Sequence, residues 1–344
     1  MVSHSRTDEL PSEPVVAFAD GYALLVVIVN YRTARLTIEN LRALQPEVRE
    51  RGDTRVVVVD NDSGDDSVDQ IGSAIASEGW SDWVLLVPSK HNGGYAWGNN
   101  LPIRASLRAR RPPSYFHLLN PDAQVRPGAL TALVDFFAKN PRAGIAGSLL
   151  ENADGSDWRT AFRFPTLLGE LESGVRLGPV SKLLGKWVVA REMNGVSPEQ
   201  VDWLPGASMM VRRETLEAVG LMDDAYFLYY EETDFCLQAK RAGWECWYVP
   251  QSRVMHIAGQ STGVTVRTNT PKRMPKYVFD SRRRYFVKNH GKLYAAAADA
   301  AFIAGYATWR VRRKLQGRPD SDPPHLLIDS VRNSTLLNFK DHTD

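Results

Sequence analysis

Four apolar runs in the first half of this chain each end on a polar cluster. Asn30-Tyr31 follows ALLVVIVN (23–30), and Asp60-Asn61-Asp62-Ser63 follows RVVVVD (55–60). His91-Asn92-Gly93-Gly94-Tyr95 follows WVLLVP (83–88), and Asn120-Pro121-Asp122 interrupts LLNPDAQV (118–125). At any one of these places Asp, Asn or Ser capping the next helix is a sufficient explanation. Four clusters on a common edge point further, to a site for a polar ligand. A second acidic group, Glu231-Glu232-Thr233-Asp234, opens a helix-like stretch, where the macrodipole favours carboxylates whether or not they react. No G-x-G-x-x-G or Walker-type loop occurs, which argues against an ordinary dinucleotide or P-loop site.

The elements that must position these residues follow from periodicity. Short apolar, β-branched strands alternate with helical patterns at Thr33 to Leu44 and Ala96 to Arg110, and YFHLLN (115–120) supplies a fourth strand. Such alternation predicts an α/β fold: a doubly wound, mostly parallel sheet buried by helices on both faces. Ligands of such sheets bind beyond the carboxyl ends of the strands, where the four clusters fall. In the second half VDWLPGASMMVRR (201–213) reads as one strand with a Pro-Gly interruption, and RRETLEAVG as a helix ending at Gly220. The acidic helix closes at Gly243 and leads into another strand.

With 344 residues, 43% of them apolar, the chain has enough material for a large core. Cys236 and Cys246 offer neither a disulfide framework nor a paired metal spacing, and are expected in the core of a protein from a reducing compartment. The first twenty residues read as a loose tail. The most apolar stretch, Ala295 to Trp309, is short for a membrane span and carries Asp299. Charge is uneven: Pro271 to Arg318 holds thirteen Lys or Arg against two Asp, a local +11 in a chain of net +2. The division expected is a tail (1–20), a catalytic unit (21–265, its halves 21–125 and 126–265), a basic helical extension (266–320) and a polar tail (321–344).

VVIVNYR, VVVVDNDS, NGGYAWGNN, LLNPDA, WLPGASMMVRR and YYEETDFCLQAKRAGW occur in that order. Together they resemble the family 2 glycosyltransferases, particularly the bacterial rhamnosyltransferase-like branch, over roughly Leu24 to Gly263. The resemblance implies a GT-A fold, a nucleotide-diphosphate sugar donor and inversion at the anomeric carbon. It places a D-x-D-like element at Asn120-Pro121-Asp122, with the first acid replaced by an amide. Asp122 and His256, in VMHIAG, would then hold a divalent cation, Mn²⁺ or Mg²⁺, with imidazole tilting the choice towards Mn²⁺. Asp60 would accept a hydrogen bond from a pyrimidine base. Asn30, Tyr31 and Arg32 would line the base pocket, Asn61 would belong to the donor-binding set, and Asn92, Gly93 and Gly94 would pass close to the nucleotide. Asn120 would contact sugar or phosphate, while Trp203, Gly206 and Ala207 border the sugar and acceptor and Arg159 and Arg163 flank an acceptor-side loop. Glu232 would be the general base, with Glu231 and Asp234 capping the helix or orienting its neighbours.

The expected activity is transfer of L-rhamnose from dTDP-rhamnose to a saccharide or lipid-diphosphate acceptor in bacterial surface polysaccharide assembly. It is expected in the cytoplasm or peripherally at an anionic membrane, with no nucleic-acid partner. Another UDP- or dTDP-sugar donor is the alternative, as is a non-catalytic sugar-binding protein of the same fold. A nucleotidyltransferase would need a basic Gly-rich loop that VNYRTARL lacks, and a glycoside hydrolase would have no use for the strand-end loops.

Overall fold

The computed structural model describes residue 18 and residues 21–158, 161–257 and 271–338. The first half runs β1 (Leu24–Asn30), α1 (Ala34–Arg51), β2 (Thr54–Asp60), α2 (Ser67–Ser77), β3 (Val84–Pro88), α3 (Gly94–Leu107) and β4 (Tyr115–Leu119). Next come β5 (Ala123–Val125), α4 (Ala129–Lys139), β6 (Ala143–Glu151), β7 (Asp157–Trp158), β8 (Ala161–Phe162), α5 (Leu167–Val175) and α6 (Gly178–Leu183). After them stand β9 (Ala190–Arg191), β10 (Glu199–Val201), β11 (Ser208–Arg212), α7 (Arg213–Val219), α8 (Glu231–Arg241) and β12 (Glu245–His256). The chain closes on α9 (Lys276–His290), α10 (Lys292–Leu315) and α11 (Leu326–Arg332).

The main sheet has the order β10-β12-β6-β11-β4-β1-β2-β3. β1 to β4 are parallel, β6 and β12 are parallel, and β11 enters antiparallel between β4 and β6. All seven residues of β1 are buried, because helices cover both of its faces. The alternate residues of the strands feed two separate cores, one around Val26, Ile28 and Leu41 and the other around Val27, Val59 and Phe116. This is the expected α/β architecture with its helical extension.

Three differences from the sequence reading have physical causes. The run 201–213 is two strands: β10 pairs with β12 at the sheet edge, β11 lies in its middle, and the Pro-Gly segment between them crosses the strand ends. α1 extends past Leu44 and through Pro46, because Glu47 and Val48 continue its buried face and Gly52, at φ +69°, ends it. Buried Glu47 is used there to cap another element, accepting from Gly128 N and Leu130 N at the start of α4. The 321–344 segment, read as a polar tail, contains α11, which packs on α10. The tail at 1–20, apart from Phe18, lies outside the described residues.

α5 and α10 cross closely through glycines: a Cβ on Gly174 would stand 2.6 Å from Phe302 O, and one on Gly305 2.9 Å from Val175 N. A third core of Tyr226, Tyr285, Phe286, Ala295 and Ala298 joins α9 and α10 to the loop that precedes α8. Cys236 and Cys246 are buried in the second core, as expected.

Candidate functional site

At the carboxyl ends of β1, β2 and β3 the polar residues bind one another. Asn30 is fully buried; its Nδ2 donates to Asp60 Oδ1 at 2.7 Å and its Oδ1 accepts from the Thr33 and Thr37 hydroxyls. Asp60 accepts further from Ser63 Oγ (2.6 Å) and Ser63 N (3.1 Å). Arg32 N donates to Ser63 Oγ, Arg32 Nε to Ser63 O, and the guanidinium lies over the Tyr31 ring. Asn61 Nδ2 ties this group to the next loop through Asn92 Oδ1 (3.0 Å) and Gly94 O (3.1 Å), while its own buried Oδ1 has no partner.

The two glycines of that loop are closely covered. The Cβ position of Gly93 is filled by the Trp97 side chain, and that of Gly94, at φ +88°, falls 1.9 Å from Phe227 O. Their missing side chains admit other parts of this chain, and Tyr95 N donates to Phe227 O at 2.9 Å.

At the end of β4, Asn120 N donates to Ala207 O, which fixes the Asn120-Pro121-Asp122 turn against the start of β11. β5 then pairs antiparallel with β12, setting His256 opposite Ala123. That register brings His256 Nε2 to 3.2 Å from Asp122 Oδ1, with Asn120 Nδ2 at 3.3 Å from the same nitrogen. Trp158 stacks on the imidazole at 5.3 Å, and the buried His256 Nδ1 has no partner.

Oxygen and imidazole donors bound to one cation at about 2.0–2.2 Å and at right angles stand about 3 Å apart. The Asp122–His256 pair fits that requirement. No group of three His, Cys, Asp or Glu side chains suited to a metal occurs among the described residues.

The acids of α8 follow an unusual entry. Tyr229 and Tyr230 are both left-handed, at φ +69° and +70°, a conformation that costs non-glycine residues energy and needs support. Ser281 Oγ of α9 donates to Leu228 O (2.9 Å), Tyr277 packs against Phe227 and Tyr229, and Tyr285 against Tyr230. Beyond this turn Glu231 is buried and Glu232 partly so, and the Oε2 atom of each is buried without a hydrogen-bond partner. Glu232 Oε1 faces Gly206 N at 3.5 Å. Burial pushes both carboxyls above their ordinary range, and the neighbouring Glu232 charge pushes Glu231 further.

Asp234 is unlike them. It accepts from Lys288 Nζ (2.6 Å), Asn289 Nδ2 (2.7 Å) and Gln238 Nε2 (3.2 Å), and Lys288 also reaches Asp223. The N-cap position of α8, Tyr230, makes no side-chain capping bond.

Sequence reasoning missed Tyr95. Its hydroxyl donates to Gly206 O at 2.7 Å, and a Cβ on Gly206 would strike that oxygen. Burial, with Glu232 and Glu231 nearby, holds its pKa well above the ordinary value. Its place directly after Gly93-Gly94 was the available signal. Trp203 stacks on Phe162 at 4.4 Å and donates to Arg163 O, so its indole belongs to the wall of this region. Arg163 itself turns to Val188 O. Arg159 lies outside the described residues.

Comparison with known proteins identifies the family. The family model described as glycosyltransferase like family 2 matches residues 22–273. An N-acetylglucosaminyl-diphospho-decaprenol L-rhamnosyltransferase of Mycobacterium tuberculosis is 34% identical over 188 residues, 52% of this chain and 61% of that protein. The chain thus matches about three fifths of that relative. The dTDP-rhamnosyl transferase RfbF of Shigella flexneri is 25% identical over 317 residues, 91% of this chain and 96% of its own. Among solved structures, a mannosyltransferase of Pyrobaculum calidifontis with GDP-Man and Mn²⁺ aligns with a TM-score of 0.55 at 16% identity, covering 93% of this chain and 88% of the other. GalNAc-T7 with UDP, GalNAc and Mn²⁺ aligns with a TM-score of 0.56 at 15% identity, covering 87% and 55%. These likenesses carry the GT-A fold, and the match across 22–273 makes the chain a member of the glycosyltransferase like family 2.

Proposed function

We propose that the protein is an inverting transferase that moves a sugar, L-rhamnose from dTDP-rhamnose, onto a saccharide or lipid-linked acceptor in surface polysaccharide assembly. The observation that carries this reading is that two unlike acidic sites meet the same Gly206-Ala207 segment. Asn120, next to the Asp122–His256 pair, donates its N–H to Ala207 O, and Glu232, with a bare carboxylate oxygen, faces Gly206 N. The names of the Mycobacterium and Shigella relatives support rhamnose, and that of the first supports a lipid-diphosphate acceptor.

In this reading Asp60, Asn30 and Arg32 form the rigid floor of the base pocket, and Asn120 contacts sugar or phosphate. Asp122 and His256 would hold a divalent cation, Mn²⁺ or Mg²⁺, whose charge offsets that developing on the departing diphosphate. Glu232 takes the proton from the acceptor hydroxyl as it attacks the anomeric carbon opposite the leaving group. Its raised pKa suits a base working nearer neutrality than an exposed carboxylate. Tyr95 fixes the Gly206 backbone that faces this base. A lipid-linked acceptor would bring the reaction to a membrane surface, with the protein peripheral to it.

The test is dTDP release from dTDP-rhamnose in the presence of a short diphosphate-linked acceptor, run against UDP- and GDP-sugars. Acceptor-dependent release from dTDP-rhamnose alone supports the reading. Turnover of a different donor would replace rhamnose, and binding without turnover of any donor would favour the non-catalytic alternative.

A further inference from the structure

The +11 segment does not present its charge and aromatic groups as its sequence suggests. Tyr285 and Phe286 are buried, while Phe279, Phe302 and Ile303 are half-buried and line a pocket. Arg282 is spent on Glu170 and Asp299, Arg284 on Asp223, and Arg312 on the carbonyls of Val175 and Arg176. Lys272, Arg273, Lys276, Lys288, Lys314 and Arg318 stay exposed, but along α10 up to Val311 the outside positions are of another kind. Every exposed position of α10 from Leu293 to Val311 is apolar or Thr: Leu293, Ala297, Ala300, Ala304, Thr308 and Val311. With Leu315 they recur every three or four residues, one stripe about 33 Å long.

The helices packed with α10 carry more such groups. Among the described residues, nine of the twelve exposed large hydrophobic side chains belong to α6, α10, α11 and the segments adjoining α6 and α11; the other three are Val196, Phe227 and Ile257. Such concentration on one layer is unusual for a surface that meets only water. The charge around it has one sign. Lys182 precedes Leu183 on α6, Lys314 precedes Leu315, and Arg332 follows Val331, all of them exposed. The aspartates of α10, α11 and the segment joining them, Asp299, Asp320, Asp322 and Asp329, are each held by arginines of the same layer.

We propose that this outward face of α10 and α11, continued by α6, is the surface on which the protein lies against an anionic lipid leaflet. Exposed leucine, isoleucine and valine enter the boundary between headgroups and acyl chains, and the flanking lysines and arginines meet the headgroup phosphates. A second copy of the chain is the weaker occupant, because an isologous contact would bring these uncompensated basic groups towards their own kind. No helix of the described residues is long and apolar enough to cross a membrane, so attachment here is along the surface. The layer's inner side holds Tyr230, the residue before Glu231, which sets the proposed leaflet beside the acceptor side of the site. The inference rests on the transferase reading only for that last point.

The experiment is co-sedimentation of the full chain with phosphatidylglycerol-containing vesicles and with pure phosphatidylcholine vesicles, at low and high salt. Binding to the anionic vesicles, weakened by salt, is expected. Val311→Glu combined with Leu315→Glu is expected to lower vesicle affinity at least about tenfold, with unchanged Tm and unchanged transfer to a water-soluble acceptor. Lys182→Glu with Lys314→Glu is expected to remove the preference for anionic lipid. Indifference of the wild-type chain to vesicles, or equal binding by the Val311/Leu315 variant, overturns the proposal. So does sedimentation velocity showing a dimer that this variant dissociates, since a second copy then occupies the face. Vesicle binding without sugar transfer leaves the surface standing and refutes the transferase reading alone.

Discussion

The strand-end loops and the head of α8 are both buried and polar, yet they handle their polar groups in opposite ways. Around Asn30, Asp60 and Ser63 most donors and acceptors are used within the cluster. At Glu231 and Glu232 two carboxylate oxygens are buried bare, behind two tyrosines in the left-handed region. A saturated network is stiff and favours folding, whereas a bare buried acid lowers stability and retains an acceptor for a proton. In the proposed reading the first region holds a ligand and the second reacts with one. Asp234, three residues from Glu231 and satisfied by Lys288, Asn289 and Gln238, belongs with the first kind despite its place in the second.

The sharpest break in this comparison is at Glu232. Glu232→Gln keeps the shape and removes the basicity, so transfer is expected to fall by roughly 10² to 10⁴ with donor affinity preserved. Asp234→Asn is expected to cost less; steady-state rates of both variants check the assignment, and the reverse ranking would move the base to Asp234.

On the saturated side the loss should appear in stability. Asn30→Ala leaves Asp60 and the Thr33 and Thr37 hydroxyls short of partners, and is expected to cost roughly 1–3 kcal/mol in urea unfolding. A variant as stable as wild type would mean that the network is not what stiffens this region.

Lys288 links the two behaviours, since it braces α8 through Asp234 and the preceding loop through Asp223. Lys288→Met is expected to lower kcat about tenfold with little change in KM, through small displacement of Glu232, and Lys288→Arg to restore most of it. A change confined to KM would assign Lys288 to ligand binding instead.

The smallest expected effect is on pH dependence, and its sign is the reverse of an ordinary ion pair. Glu231 and Glu232 hold protons more tightly folded than unfolded, so above about pH 4.5 the unfolded chain ionises first and stability falls as pH rises. Glu232→Gln is accordingly expected to raise Tm by about 2 °C or more at pH 8 and by less at pH 4, measured by calorimetry.

Much of this was legible in the sequence because β-branched runs, glycine stops and polar strand ends are local signals. The apolar pattern located β1 to β4 closely, and the motifs brought Asp122 and His256 together before their register across β5 and β12 was known. Long-range effects were not legible. Nothing near Tyr95 announces that its hydroxyl will reach Gly206, 111 residues away. The close crossing at Gly174 and Gly305 sets α10 so that Phe302 turns towards its neighbours while Ala297, Ala300 and Ala304 point out. The Lys288 brace likewise depends on how α9 docks on α8.

The central claim is a nucleotide-sugar site completed by Asp122 and His256, and thermal shift with dTDP-rhamnose and Mn²⁺ tests it most directly, because ligands that bind only the folded state raise Tm by mass action. Donor and cation together are expected to raise Tm more than the sum of each alone, with the cation-dependent part abolished in Asp122→Ala and His256→Ala. A panel of nucleotide sugars that leaves Tm unmoved, or two variants that respond as wild type does, would contradict it.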